Sequence, residues 1–351
     1  MVSFKIISTD APLRNGQLNL DRVTLKTPAV VPSLATLKYL TTGQLESIGI
    51  QTLFFDPLRL AMTMNNDIHN IVQIMAIQQA LIATSGAETA YRFAKPRGRK
   101  KDGVNFHRPD NHQLVHYTPA SARQLQVKLG ATLGEQLSRD ENYYAPVDDL
   151  VAATHQTVEW LKEIPLQSSL LAPIVGGGLK ELRAKCLTMV PAGVIGYSIQ
   201  QLADIDNDGE LRRILQQIIP QLQPTKLRLA RVGDSAANVM AALSVGIDVV
   251  QSDAALVAAN QGIAWTDDRS LVLSKTHFKD DRRPISNSCP CPVCSRHYSR
   301  QSIHYLLGQS APLATILLLE HNLAFQNVKI VRLQQAVSAD QGATWVERYS
   351  G

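Results

Sequence analysis

Three of the four cysteines in this chain fall within six residues, as Cys289-Pro-Cys291-Pro-Val-Cys294. A Cys-x-Cys-x-x-Cys run followed at a distance by a histidine supplies the ligands of a closed tetrahedral zinc site. Three histidines follow the run: His297, His304 and His321, the last within Glu320-His321-Asn322. Three sulfurs and one nitrogen leave no open position for water or substrate. The expected chemistry is therefore structural. Buried or reactive loop cysteines are the competing reading, which the ligand count disfavours.

A second stretch is cationic. Arg92-Phe-Ala-Lys95-Pro-Arg97-Gly-Arg99-Lys100-Lys101 places six cations in ten residues. Pro96 and Gly98 predict a loop, and a cationic loop can follow phosphates, releasing counterions as each is neutralised. Arg97, Arg99, Lys100 and Lys101 are the candidate contacts. A solvated surface loop would explain the same residues. Lys279-Asp-Asp-Arg282-Arg283 mixes both signs and is weaker evidence.

These groups need a scaffold. With 351 residues, 45% of them apolar, the chain can bury one large barrel or two ordinary domains. Only Cys186 lies outside the cluster, so there is no disulfide framework, as in a reducing compartment. No apolar run reaches the roughly 18 residues of a transmembrane helix. The first residues lack a signal-peptide layout. A formal net charge of +5 is mild evidence for a polyanionic partner.

Short apolar runs predict buried strands: Ala29–Pro32, Thr52–Phe55, Ala80–Ala83, Leu170–Val175, Val194–Tyr197, Leu227–Ala230 and Ile247–Val250. Helical punctuation separates them. Thr118 and Pro119 open a helix that Gly130 ends; Asp234 is the expected cap of another, ended by Gly246; Leu150, Val151, Val158 and Leu161 mark a third. After the cysteines, Ser299 and Pro312 open two more. Repeated βα units allow a (β/α)₈ barrel or an open doubly wound sheet. No glycine-rich dinucleotide fingerprint follows the first strand, which lowers the second option.

The order Asp281-Arg-Arg-Pro284, Cys289-x-Cys291-x-x-Cys294, Tyr298-Ser-Arg300, Ile303-His304 and Glu320-His321-Asn322 resembles the zinc region of the tRNA-guanine transglycosylase family. Thr27-Pro28 through Leu40, Asp102-Gly-Val-Asn-Phe106 with Tyr117-Thr-Pro119, and Val232-Gly-Asp through Gly246-Ile-Asp248 are similar to other segments of that family, so the likeness covers roughly residues 27 to 325. It implies an α/β fold, a (β/α)₈ TIM-type barrel with a zinc-binding subdomain. It also implies one zinc held by Cys289, Cys291, Cys294 and His321. The expected division is 1–275 for the barrel body and 276–351 for the zinc subdomain and C-terminal helices.

The departures bear on chemistry. Family members exchange a guanine in tRNA for a deazaguanine such as queuine, through a carboxylate that attacks the ribose carbon. Where the resemblance places that carboxylate stands Gln251. Thr84 stands for a second carboxylate, Gly176 for an amide that reads the base, and Gln200-Gln201 for a glycine pair that lets the base approach. Asp140 lies about two positions off the register of a base-reading Asp. These losses, with Gln251-Ser252 through Gln261-Gly262-Ile-Ala264, resemble the accessory, non-catalytic subunit of eukaryotic queuine tRNA-ribosyltransferase. That branch implies no catalytic residue in this chain, a heterodimer with a catalytic subunit, tRNA as partner and a homodimer when alone. It further implies a cytoplasmic location with peripheral association at the mitochondrial outer surface. Two rival readings are an active transglycosylase in which Asp253 is the relocated nucleophile, sharing a face with Gln251 if the strand continues, and a repurposed barrel using Asp140, Glu141 and the Gly176 loop.

Overall fold

The computed structural model describes residues 2–64, 69–162 and 169–349. The chain opens with an antiparallel meander that the apolar pattern did not announce: β1 (Ser3–Asp10), β2 (Leu13–Leu20) and β3 (Val23–Thr27). Leu18, Leu20 and Leu25 of the meander pack against Ile82, Leu133, Leu171, Leu229 and Val249. These five lie on barrel strands, so the meander stoppers one end of the barrel interior.

The barrel begins with β4 (Ala29–Val31), β5 (Thr52–Phe55) and β6 (Ala80–Ala83). An antiparallel excursion follows, β7 (Arg99–Lys100), β8 (Gly103–His107) and β9 (Leu114–Tyr117). The barrel then resumes with β10 (Leu133–Glu135), β11 (Leu170–Ile174), β12 (Gly196–Leu202), β13 (Leu227–Val232) and β14 (Val249–Gln251). These eight strands run parallel in the order β4-β14-β13-β12-β11-β10-β6-β5. A parallel bridge between Ser33 and Phe54, where the Phe54 N–H donates to the Pro32 carbonyl at 2.9 Å, joins the two ends. Helices cover the outer faces, which is why β5, β6 and β11 are apolar without alternation. The (β/α)₈ barrel is thus the architecture.

Local signals act as their chemistry dictates. Thr118 caps the Pro119–Lys128 helix through a reciprocal pair with Ser121. Ser299 caps Arg300–Gly308. Pro312 opens a 27-residue helix, Pro312–Ser338. This long helix packs along the Ala254–Asn260 helix and reaches β1, β2 and β4, fastening the C-terminal region to the barrel.

Three expectations are corrected. The Ala236–Ser244 helix is capped by Ser235, because the Asp234 carboxylate instead accepts the Asp253 N–H at 2.7 Å. The cationic stretch is not a loop: the Ala87–Phe93 helix ends inside it, a single 3₁₀ turn covers Pro96–Gly98, and β7 follows. The strand expected over Val194–Tyr197 starts at Gly196 and runs on to Leu202, so Gln200 and Gln201 are strand residues. Among the described residues no helix is long and apolar enough to cross a membrane.

Candidate metal centre and barrel mouth

The cysteine run folds as a knuckle. Cys291 sits before the one-turn helix Pro292–Ser295, and its sulfur accepts the Cys294 N–H at 3.4 Å. Arg300 clamps the preceding segment by donating to the Pro284 and Ile285 carbonyls and pairing with Asp281 at 3.2 Å. Arg283 and Arg300 together hold Asp281 far below the usual carboxylate range. His321 lies on the long helix and is wholly buried. Its Nε2 sits 2.8 Å from the Trp265 carbonyl, so Nε2–H is the donor and Nδ1 keeps its lone pair. That Nδ1 lies 3.5 Å from the Cys291 sulfur and 3.4 Å from the Cys294 sulfur. Bonds of about 2.3 Å to sulfur and 2.1 Å to nitrogen give a tetrahedral edge of about 3.6 Å. The ligand atoms of Cys289, Cys291, Cys294 and His321 all lie within 4.8 Å of one another. Contact with Cys289 and Cys291 pushes the Cys294 thiol far up, and a divalent cation relieves such crowding. The four residues therefore form a site fit for zinc, which when bound would cross-link the knuckle to the long helix. Next to His321, Asn322 accepts the Trp265 N–H at 3.0 Å and donates to the Ile263 carbonyl at 2.9 Å. The two rival histidines fall elsewhere. His304 Nδ1 faces the Leu273 carbonyl at 2.8 Å, and His297 is exposed on a left-handed backbone.

At the C-terminal ends of the strands, where barrel enzymes hold their substrates, the described residues enclose two adjoining cavities. The larger, about 580 Å³, is lined by Asp56, Thr84, Glu88, Arg231, Gln251 and Asp253 among others. The smaller, about 250 Å³, shares Glu88 and Arg231 and adds Asp140, Gln200 and Gln201. Gln251 is the last residue of β14 and faces the larger cavity with a neutral amide. The Thr84 hydroxyl accepts the Gly86 N–H at 3.1 Å and so shapes a turn. Asp253 does not continue the strand face, since β14 stops two residues earlier. It stands at the start of the Ala254–Asn260 helix, its carboxylate accepts the Ser33 N–H at 2.7 Å, and burial raises its pKa. It still lines the same cavity as Gln251.

Further groups that the sequence pattern did not single out occupy this mouth. Arg231, on β13, pairs with Glu88 at 3.0 Å. Glu135, at the end of β10, is buried; burial pushes its pKa up, against the opposing pull of Arg231 and a 2.5 Å hydrogen bond from the Ser198 hydroxyl. The Ser138 hydroxyl donates to Gln200 Oε1 at 2.6 Å, and Gln200 Nε2 lies 3.4 Å from Glu135. Burial lifts Asp140 to about 6. The available signal was a charged residue inside an apolar strand, as in Leu227-Arg-Leu-Ala-Arg-Val232. Glu141 faces Arg139 at 2.9 Å and Arg99 at 2.8 Å.

Of the cationic candidates, Arg99 is committed to Glu141 and lies over the Tyr91 ring, 5.4 Å from its centroid. Arg97, Lys100 and Lys101 are exposed and form no salt bridge among the described residues. The Lys101 carbonyl accepts the Trp160 indole N–H at 2.9 Å, which anchors this ribbon to the barrel wall.

Comparison with known proteins agrees with this geometry. A family model described as queuine tRNA-ribosyltransferase matches residues 10–350. The queuine tRNA-ribosyltransferase of Thioalkalivibrio sulfidiphilus (strain HL-EbGR7) is 24% identical over 365 residues, covering 100% of this chain and 97% of the relative. That of Shewanella sp. (strain W3-18-1) is 24% identical over 353 residues, covering 96% and 93%. With a model matching nearly its whole length, a closed eight-stranded barrel and the Cys₃His cluster in place, the chain belongs to the queuine tRNA-ribosyltransferase family.

Proposed function

We propose that this chain is a non-catalytic, tRNA-docking subunit that works beside a catalytic queuine tRNA-ribosyltransferase subunit in a heterodimer exchanging guanine for queuine. The observation that carries this reading is Gln251 at the rim of the barrel mouth, facing the cavity where the family reaction needs a carboxylate. A neutral carboxamide is a poor nucleophile towards an oxocarbenium-like ribose carbon. Gln200, Gln201 and Arg231 add bulk to the space a base would enter. The zinc knuckle in 276–351 and the body in 1–275 then serve docking. Arg97, Lys100 and Lys101 offer phosphates a cationic edge. The test is to incubate the purified chain with tRNA and labelled guanine, with and without a catalytic paralogue. The expected result is exchange only when the paralogue is present, and no denaturation-resistant protein–RNA adduct on this chain.

One observation favours a second reading. Asp253 lines the same cavity as Gln251 and carries a carboxylate. An adduct on the lone chain that Asp253→Asn abolishes would establish it as a relocated nucleophile.

A further inference from the structure

Opposite the mouth, at the N-terminal ends of the strands, the meander meets the barrel base. A cavity of about 140 Å³ lies there, between the turn that joins β2 to β3 and the start of β6. Two carboxamide oxygens on its wall are buried with no hydrogen-bond partner among the described residues, Asn70 Oδ1 and Gln79 Oε1. Gln79 is 3% exposed. Its Nε2 donates to the Thr42 carbonyl at 3.0 Å and the Ile50 carbonyl at 3.3 Å. Both partners are acceptors, so the amide cannot be turned over, and Oε1 is the atom left without a donor. Asn70 stands at the N-cap position of the one-turn helix Ile71–Ile74, where its oxygen would ordinarily accept a helix N–H. It makes no such bond. The oxygen abuts Gly130 instead, where a Cβ would stand only 2.9 Å away, so glycine keeps that side clear. A buried acceptor without a donor is costly. Two on one cavity wall call for an occupant that satisfies both.

We infer that this cavity is a site for a compact monovalent cation of the potassium class, held by the Asn70 and Gln79 carboxamide oxygens. Carbonyl-type oxygens replace the hydration shell of such an ion. The charge count speaks against calcium or magnesium, which are held by carboxylates. Asp21 and Arg22 are the only ionisable residues on the wall among the described residues, and their signs oppose. Thr132 lines the same space, and the volume leaves room for water to complete the shell. The bound cation would join the meander turn, the Ile71–Ile74 turn and the start of β6. It would thus brace the stopper against the barrel base, remote from the zinc centre and the mouth.

The test compares melting curves of the full, zinc-loaded chain in potassium chloride and in choline chloride, whose cation is shielded by methyl groups. At about 100 mM salt, a site half filled at about 10 mM multiplies the folding equilibrium about tenfold. That is about 1.4 kcal/mol, or about 2 °C in Tm for 351 residues. The expected result is a wild-type Tm about 2 °C higher in potassium, no such difference in Asn70→Gly, and a larger one in Asn70→Asp, which keeps an oxygen and adds charge. Glycine and aspartate both tolerate the left-handed backbone of Asn70 (φ 47°), and zinc content checks the fold. If Asn70→Gly misfolds, Asn70→Asp against wild type carries the comparison. Crystals soaked in thallium(I), an anomalous scatterer that replaces potassium, should show a peak in contact with both oxygens. Equal melting of wild type in the two salts, a potassium effect that Asn70→Gly retains or Asn70→Asp does not enlarge, or water alone between the oxygens overturns the site.

Discussion

His321→Ala is the sharpest test of the metal centre. The imidazole is wholly buried among Cys291, Cys294 and the Trp265 carbonyl. Truncating a side chain so enclosed costs about 2–5 kcal/mol through lost contacts and the cavity left behind. The Trp265 carbonyl loses its N–H donor, about 1 kcal/mol more. A structural zinc contributes about 10–16 kcal/mol over four ligands, so each ligand accounts for roughly 3 kcal/mol of metal binding. At about 2.1 cal/mol/K per residue, 351 residues give an unfolding entropy of about 0.7 kcal/mol/K, so a loss of about 6–9 kcal/mol relative to the zinc-loaded wild type lowers Tm by about 8–12 °C. The assay is zinc per chain by atomic emission, chelator competition and a melting curve, alongside His304→Ala. Wild type should hold one zinc, and His321→Ala should release it to a chelator that leaves wild type loaded. His304→Ala should keep it, because His304 Nδ1 faces the Leu273 carbonyl rather than the sulfurs. Full, chelator-resistant zinc in His321→Ala would exclude His321 as a ligand, and zinc loss in His304→Ala would put His304 in its place.

Three other outcomes follow from the geometry. Reversing Arg97, Lys100 and Lys101 should weaken tRNA binding by the proposed complex and flatten its salt dependence by about two units of log–log slope, at roughly 0.7–0.9 per phosphate contact; an unchanged slope returns this ribbon to plain solvated surface. Arg99 is left out because its partner Glu141 would face a like charge. Asp140 carries a folded pKa of about 6 against an ordinary 3.8, raised mainly by burial. A raised carboxyl binds more protons in the folded state, so the contribution of this group is most favourable below about pH 4 and falls as pH rises to about 6. Its exposed edge discounts the full shift to roughly 1–3 kcal/mol. Asp140→Asn should remove this slope and be the more stable form at pH 7, as denaturant titrations at several pH values would show; a variant with the wild-type slope would place the titration elsewhere. Gln251→Asp alone should leave guanine exchange by the lone chain undetectable, since Thr84, Gln200 and Gln201 remain and catalytic groups act as a unit. Robust exchange by that single variant would show the pocket to be intact.

Chemistry that acts over a few residues was legible in the chain alone. Cys289, Cys291 and Cys294 are close in the chain, so their convergence needs only a tight knuckle, and three thiolates call for a soft-to-borderline cation whatever the fold. Caps such as Thr118 and Ser299 and openings such as Pro119 and Pro312 act within one turn, and they stand where their side-chain chemistry places them. The apolar runs likewise marked seven of the eight barrel strands. The eighth, Leu133-Gly-Glu135, has one apolar side chain in three residues, too short to show a period, yet it carries the buried Glu135. Which of three histidines completes the metal site depended on helix length: Pro312–Ser338 carries His321 against Trp265, 56 residues away in sequence. The same holds for the barrel mouth. Arg231 meets Glu88 across 143 residues, and Gln201 reaches the Gly176 amide across 25. Periodicity says which face a side chain takes on its own strand. Closure of the sheet into a barrel decides which distant side chains share the enclosed space, and there the low dielectric favours pairing, as between Arg231 and Glu88 and between Ser198 and Glu135.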